Sequence, residues 1–511
     1  MNDFQVAVIG SGFGGSLMAM IARRLGFTAT LLERGTHPRF AIGESTTPLT
    51  NLLLEEISKR YDLPAIRPLC KWGAWQRQLP HLACGLKRGF TFYHHELDGD
   101  PQTKPSDQCQ LMVGASPRDE VADTHWYRPD FDHYLVGQAQ ALGVEYKDKV
   151  ELTEAAETSC GMRLRGRRDG CEFELSADFV IDATGLRGFL FRALGLPEKA
   201  LPGLPRTQAL FSHFTNVEPL PEEFFRLKGR TPPYPPENAA VHHVFRGGWV
   251  WMLRFNNGIT SAGVAATDPL AKELELSSGA PAWERLTRRL PVLGKMFRSA
   301  QAVAPFVHQP RLAFESGQLA GKRWVLLPSA AGVVDPLLST GFPLNLSGIL
   351  RIAEVLKSFF RDSSFKEALA SYASITPLEL ETTAALVGAL YAAMDRFDLF
   401  KALSRLYFAA ASFSEVARRL GKPGLADGFL LCRNPEFQPR LTEICATARG
   451  ELSASESAAL KRQILDLIAP FDLAGLTDSS RDPWYPARGE DILRNAAKLG
   501  ATKEELAALF T

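Results

Sequence analysis

An α/β fold with an antiparallel sheet beside it and a helical C-terminal region is what this sequence predicts, on three observations. The stretch FQVAVIGSGFGGSLMAMIARRLGFTATLLERG reads as a buried strand, a glycine turn, an amphipathic helix and a second strand. Residues 207–266 are strand-rich, with turn signals at Gly247–Gly248 and Asn257–Gly258. These predict three antiparallel strands, the second turn a type I′ hairpin. From about residue 345 the apolar spacing is helical almost throughout, broken at Gly421–Gly424 and around Asp472–Gly489.

The intervening elements follow from the same periodicities. Leu49–Tyr61 carries apolar residues at helical spacing. Residues 84–93, CGLKRGFTFY, read as a strand with Gly85, Lys87, Gly89, Thr91 and Tyr93 on one face and Leu86, Arg88, Phe90 and Phe92 on the other. The two glycines flanking Lys87 predict open space beside its ammonium. Residues 98–124 are polar and rich in Asp, Pro and Gln, which predicts a long loop or lid. FDHYLVGQAQALGVEY predicts a helix leading into a strand, and residues 150–181 short antiparallel strands, with the basic cluster RLRGRRDG (163–170) as a solvated hairpin. KRWVLL (322–327) is a buried strand entering a further turn and helix, and no repeat of fixed period occurs.

Composition excludes several function classes. With 511 residues, 45% of them hydrophobic and 23% charged, the chain can bury a large core in more than one layered unit. A net charge of +1 supplies no global field for nucleic acid or anionic lipid. Seven irregularly spaced cysteines without a C-x-x-C predict a reduced, cytoplasmic protein with neither disulfide framework nor zinc site. The longest uncharged run, Pro336–Leu350, is broken by Gly and Pro and too short to span a bilayer, and the N-terminus runs straight into a strand with no leader signature. The doublets His94–His95 and His242–His243 place neighbours on opposite strand faces, and no metal-ligand constellation is visible.

Gly10-x-Gly12-x-x-Gly15 follows the first strand and opens the first helix. The first glycine permits the tight turn, the second lets backbone approach a pyrophosphate, and the third allows close helix–strand packing, as in a Rossmann-like dinucleotide site. Glu33 ends the second strand, where a carboxylate can hold ribose hydroxyls. Whether the dinucleotide is NAD or FAD is open from this motif alone.

Two later segments bear on that choice. FVIDATGLRG (179–188) ends a strand in Asp182-Ala183-Thr184-Gly185, and WVLLPSAAGVVDPLLSTGFPLNLSGIL (324–350) places Asp335 and Pro336 before an apolar helix. Together with the glycine motif, this order resembles the FAD-containing monooxygenase superfamily. The resemblance implies a flavin-monooxygenase-type fold in which the last segment holds the ribityl chain and aims a helix N-terminus at the flavin ring. One departure is visible: Pro328-Ser329 stands where the family usually has Gly-Asp.

The strand GGWVWMLRF adds Trp249 and Trp251, two apart and hence on one face. Beside the flavin motifs it resembles the W-x-W-x-I-P signature of flavin-dependent halogenases, with Leu253 for Ile and Arg254 for Pro. In that family the indoles keep organic substrate from the activated flavin, so that halide is oxidised instead. HPRFAIGESTTP (37–48) is similar to the family's Gly-Glu-Ser segment along the flavin, and DPLLSTG (335–341) to its halide-binding loop. The resemblance thus implies cofactor contacts from Gly10, Gly12, Phe13, Gly14, Gly15, Glu33, Arg39, Glu44, Ser45, Thr46, Arg128, Asp182, Gly185, Asp335, Pro336 and Gly341. It also implies a halide site at Thr340 and Gly341. Ser339–Gly341 also fits a helix N-cap, which is compatible with both roles.

The lysine segment of halogenases acting on free small phenols is similar to CGLKRGFTFY, which implies that Lys87 is catalytic: it receives hypohalous acid from the flavin side and presents it to substrate. It would do so as an N–H donor or, if its pKa is lowered, as a haloamine; the sequence leaves both open.

The expected organisation is a FAD-binding module over residues 1–350 and a helical region over 351–511. In the module, segments 1–50, 125–190 and 320–350 interleave with a substrate-side sheet at 80–97 and 207–310. The helical region covers the substrate pocket or serves a homodimer. The expected activity uses FADH2 from a separate NAD(P)H-dependent flavin reductase, O2, and chloride or bromide to halogenate an electron-rich, free phenolic aromatic. An aromatic hydroxylase of the same superfamily is the alternative, and a flavin-binding scaffold without activity is a third reading.

Overall fold

A computed structural model describes residues 4–99, 107–227, 230–360 and 362–509. Five parallel strands form the first sheet, in the order Trp324–Leu326, Phe179–Asp182, Gln5–Ile9, Thr28–Leu32 and Glu145–Lys147. Apart from the polar edge strand Glu145–Lys147, their apolar runs are buried on both faces, as a sheet covered by crossover helices requires. Gly10 makes the turn into the helix Phe13–Arg24 at φ +94, where an added Cβ would strike Ala183 O at 2.8 Å. At Gly15 a Cβ would lie 1.8 Å from Gly10 O, so only glycine lets helix and strand approach this closely.

The second sheet has nine strands. Thr207–Thr215, Thr260–Thr267, Gly248–Arg254 and Ala240–Phe245 run antiparallel. Gly89–His94 then joins in parallel, followed by Gln110–Gly114 and the short edge strand Trp484–Tyr485. The hairpin at Asn257–Gly258 is not type I′: Gly258 alone has positive φ, and its N–H closes a turn on Phe255 O. This is a three-residue connection ending in a left-handed glycine. The 163–170 cluster is a hairpin as expected, with Asp169 and Gly170 both at positive φ.

Residues 98–124 are less loop-like than their polarity suggests. Gln110–Gly114 is a central strand, and Asp123–Trp126 begins a two-stranded ladder with Cys84–Lys87. The short apolar run Leu111–Val113 outweighs its polar flanks because it pairs across two neighbours. Residues 100–106 of the expected lid lie outside the described residues.

The division drawn at residue 350 falls inside the continuous helix Gly341–Phe359. The long helices Phe365–Ala392 and Phe397–Arg419 pack into the main core, and the segment beyond them donates the edge strand Trp484–Tyr485 to the large sheet. Among the described residues no helix is long and apolar enough to cross a membrane.

Candidate active site

A cavity of about 790 Å³ opens at the carboxyl ends of the parallel strands and reaches the indole face of the large sheet. At one end lies the glycine turn. Glu33 receives Ser11 N–H and O–H at Oε2 (3.0 and 2.8 Å) and Gly35 N–H at Oε1. Burial pushes this carboxyl up, but Arg39 and the Gly35 and Ser11 donors outweigh it and leave it below its ordinary value. Glu33 is therefore a fixed anion with lone pairs left for hydroxyl donors.

Two arginines border the glycine turn. Arg128 is held bidentate by Asp132 (2.8 and 2.7 Å) and donates to the carbonyls of Ile42 and Gly43, tying the Gly-Glu-Ser segment to the start of the helix Arg128–Ala141. Arg39 lies 3.6 Å from Glu33. Gly12 keeps backbone low here: a Cβ would come within 3.3 Å of Arg128 Nη2.

At the other end the indoles of Trp249 and Trp251 lie with centroids 5.7 Å apart. Gly263 makes room for Trp251, whose Cζ2 would be 2.3 Å from a Cβ there. Trp249 Nε1 donates to Tyr391 Oη (3.1 Å), and Tyr391 O–H donates to Asp335 Oδ2 (2.9 Å). Burial raises the Asp335 carboxyl to about 6, against hydrogen bonds from Leu337 and Tyr391. Beyond Asp335, Leu338 and Ser339 both adopt left-handed φ (67° and 57°), a costly pair for residues with a Cβ. This turn delivers Thr340 and Gly341 to the cavity wall at the start of the helix Gly341–Phe359, where the first-turn amides point outward.

Of the residues expected to hold cofactor or halide, Gly10, Gly12, Phe13, Gly14, Glu33, Arg39, Glu44, Ser45, Arg128, Gly185, Asp335, Pro336, Thr340 and Gly341 line this cavity, as do Trp249 and Trp251. Gly15, Thr46, Asp182 and Lys87 stand behind the wall. Asp182 spends its oxygens on Thr184 and on Leu190 N–H, shaping the turn rather than facing the cavity. Thr46 is clamped to Thr124 through N–H and O–H.

Lys87 is fully buried. Its Nζ donates to Ser45 Oγ (2.8 Å) and to the Thr46 carbonyl, and lies 3.7 Å from the Phe90 ring centroid. Two expectations are corrected here. The strand breaks at Arg88, whose backbone bonds go to Asn238, Ala115 and Ser116, so Lys87 and Phe90 meet instead of facing apart. Nor do the flanking glycines clear a space. A Cβ on Gly85 would lie 2.1 Å from Arg254 O, and one on Gly89 2.2 Å from Val113 O, so both exist for close backbone packing. Arg254 keeps the strand exit in place by another route than proline: its guanidinium binds Glu237 and the carbonyls of Val217 and Glu218.

Burial lowers the Lys87 pKa to about 7, opposed by Asp123, its partner across the two-stranded ladder. Asp123 is fully buried and raised by burial; Asn51 donates to it at 2.7 Å, and Lys71 lies at 3.6 Å.

Several neighbours were not singled out from sequence. Asp123 and Tyr391 carry no local signal, because they matter only through contacts across long sequence distances. His242 had one: strand alternation separates it from His243. Its Nδ1 lies 3.0 Å from Ala240 O, so the proton sits there and Nε2 is left as an acceptor on a residue that lines the cavity. Burial, then the Lys87 charge, lowers it to about 3. Ser329 and Asn345 also line the cavity, where Pro328-Ser329 departs from the expected pair; Ser329 N–H donates to Asn345 Oδ1.

The wall fits a flavin dinucleotide. It combines a ribose-type carboxylate, two arginines for a diphosphate and helix N-termini at both ends. Asn345 Nδ2 and Arg39 Nε, both on cavity-lining residues, lack hydrogen-bond partners among the described residues, as donors awaiting a ligand would.

A dinucleotide cavity walled by paired indoles, with a buried amine just behind it, defines a flavoprotein that acts on a small organic substrate. The family model for tryptophan halogenases matches residues 124–406, more than half of the chain. The chain belongs to this family and is an enzyme of the flavin-dependent halogenase class, whose cofactors are FAD and halide. It is 29% identical to monodechloroaminopyrrolnitrin halogenase PrnC of Pseudomonas fluorescens over 424 residues, 80% of this chain and 71% of that protein. It is 27% identical to tetracycline 7-halogenase of Kitasatospora aureofaciens over 429 residues, 80% and 74% of the two. Among solved structures, halogenase PltM in complex with phloroglucinol and FAD superposes with a TM-score of 0.82 at 24% identity, covering 94% of this chain and 99% of that one. At that identity the likeness speaks to the fold.

Proposed function

We propose that this chain halogenates an electron-rich, phenolic aromatic with hypohalous acid delivered by Lys87. The observation that carries the reading is the amine itself, fully buried and hydrogen-bonded to Ser45, a residue of the cavity wall. Reduced FAD, when bound, supplies the chemistry that turns O2 and chloride or bromide into hypohalous acid. Glu33, Arg39, Arg128 and the glycine turn would hold its dinucleotide portion, and Asp335–Gly341 its flavin end.

The amides at Thr340–Gly341 bind halide, since the helix N-terminus there favours an anion. Trp249 and Trp251 exclude the organic substrate from the flavin end. Lys87 N–H donates to the hypohalous oxygen. As the ring attacks, a carbon–halogen bond forms and the halogen–oxygen bond breaks; hydroxide leaves with a proton as water, and the ring gives up its own proton. A phenol is activated enough for this substitution, and a solved neighbour binds phloroglucinol. Electrons come from a separate NAD(P)H-dependent flavin reductase, in the cytoplasm.

The test combines purified protein, FAD, NADH and a flavin reductase with phenols, indoles and pyrroles, with and without halide. Mass spectrometry should find the chlorine or bromine isotope pattern on a phenol, dependent on halide. Hydroxylated product without halide consumption, or undiminished halogenation by Lys87→Ala, would sink the proposal.

A further inference from the structure

The ammonium of Lys87 has three N–H donors, and the structure places three acceptors around it: Ser45 Oγ, the Thr46 carbonyl and the Phe90 ring. Two of these are immobile. Thr46 is fastened to Thr124 through both backbone and side chain. Phe90 is stacked with Phe92 and His242 and packed on Phe408 at 5.0 Å. The third is a hydroxyl that turns about one bond. Of the three, only Ser45 also lines the cavity. While it accepts from Lys87, its own O–H has no acceptor among the described residues and is left to donate into the cavity.

We propose that Ser45 is the hydrogen-bond relay between the flavin cavity and Lys87. Its O–H binds the oxygen of hypohalous acid in the cavity while its Oγ still accepts from Lys87. Rotation of the hydroxyl then releases that Lys87 N–H to the same oxygen. Only hydrogen bonds exchange in this step. The inference rests on Lys87 delivering the halogen; Ser45 itself touches the hypohalous acid and hands it on to Lys87.

Ser45→Ala, Ser45→Thr and Lys87→Met test it, each with FAD, NADH, flavin reductase, bromide and a reactive phenol. The readouts are FAD affinity by flavin fluorescence, halogenated phenol, and hypohalous acid escaping to a soluble diketone trap. Ser45→Ala, assayed at FAD concentrations that saturate it, should lose product by about tenfold or more, the worth of one hydrogen bond to a charged group. Trapped hypohalous acid should rise correspondingly.

Removing an acceptor from the ammonium lowers the Lys87 pKa. The limb on which product formation falls with rising pH therefore moves to lower pH in Ser45→Ala. The other charged or titratable groups facing this amine are unchanged: Asp123 and His125 across the ladder, His242 from the large sheet, and Lys71, Glu415 and Arg419 through Asp123. Ser45→Thr, which keeps the hydroxyl, should restore both product and pH profile.

Parent-like product and pH profile in Ser45→Ala overturn the relay, and so does a product loss that saturating FAD fully restores, which would make Ser45 a cofactor contact only. Parent-like product from Lys87→Met overturns the underlying reading. An inactive Lys87→Met beside an unaffected Ser45→Ala overturns the relay alone.

Discussion

Lys87 is placed at a cost to the fold. Its pKa is about 7 in the folded chain and ordinary, near 10.5, when unfolded. Between those values the unfolded chain binds more protons, so stability rises with pH across that window. Lys87→Met lacks this term. It should be more stable than the parent near neutrality by a few kcal/mol in order of magnitude, the gap narrowing as pH rises towards 10.5. Denaturant titrations of both proteins at several pH values check this; parallel pH dependence would show that the amine is not desolvated. The glycines beside it make a second prediction. Gly85→Ala forces a methyl against the Arg254 carbonyl and should cost about 1–3 kcal/mol in unfolding free energy. Had the glycine merely left space, alanine would be tolerated.

Across elements, Tyr391 is the joint that matters most. One hydroxyl links Trp249 on the large sheet to Asp335 in the loop before the helix Gly341–Phe359. Tyr391→Phe leaves the indole N–H and one carboxylate oxygen unpaired in a buried setting, a loss of about 1–3 kcal/mol. Asp335 already titrates at about 6, above its ordinary 3.8, so its contribution is present below the lower value and is lost as pH rises through the upper one. Without the tyrosine donor its pKa rises further. The stability decline between roughly pH 4 and 6 should therefore extend to higher pH in Tyr391→Phe. Calorimetry over that range decides; an unshifted decline would mean that Tyr391 does not act on Asp335.

On the scale of the whole molecule, the helical region completes the large sheet. Trp484–Tyr485 covers the edge of Gln110–Gly114, Arg405 holds Tyr485 Oη at 2.7 Å, and Lys401 binds Asp482 at 3.0 Å. A chain ending before Asp472 would bare that edge, and unpaired strand edges recruit other chains. Size-exclusion chromatography should find the truncated protein aggregated, whereas a monodisperse, flavin-binding product would show that the edge strand is dispensable.

What the sequence determined by itself was everything set by local chemistry. The glycine turn, the strand–helix–strand opening, the paired indoles and the DPLLSTG loop are short stretches whose conformation and residue types carry their own meaning. That they belong beside one flavin was implied by the family resemblance, and the fold puts them on one cavity wall. Tertiary structure alone decided what surrounds Lys87. A strand pattern with period two cannot register a break at Arg88, and a glycine in a string does not say whether space or backbone lies beside it. Nor could the string join Lys87 to Asp123, or Trp249 to Tyr391, because burial, desolvation and hydrogen bonding depend on distance in space. That distance is fixed only once both sheets and the helices have packed.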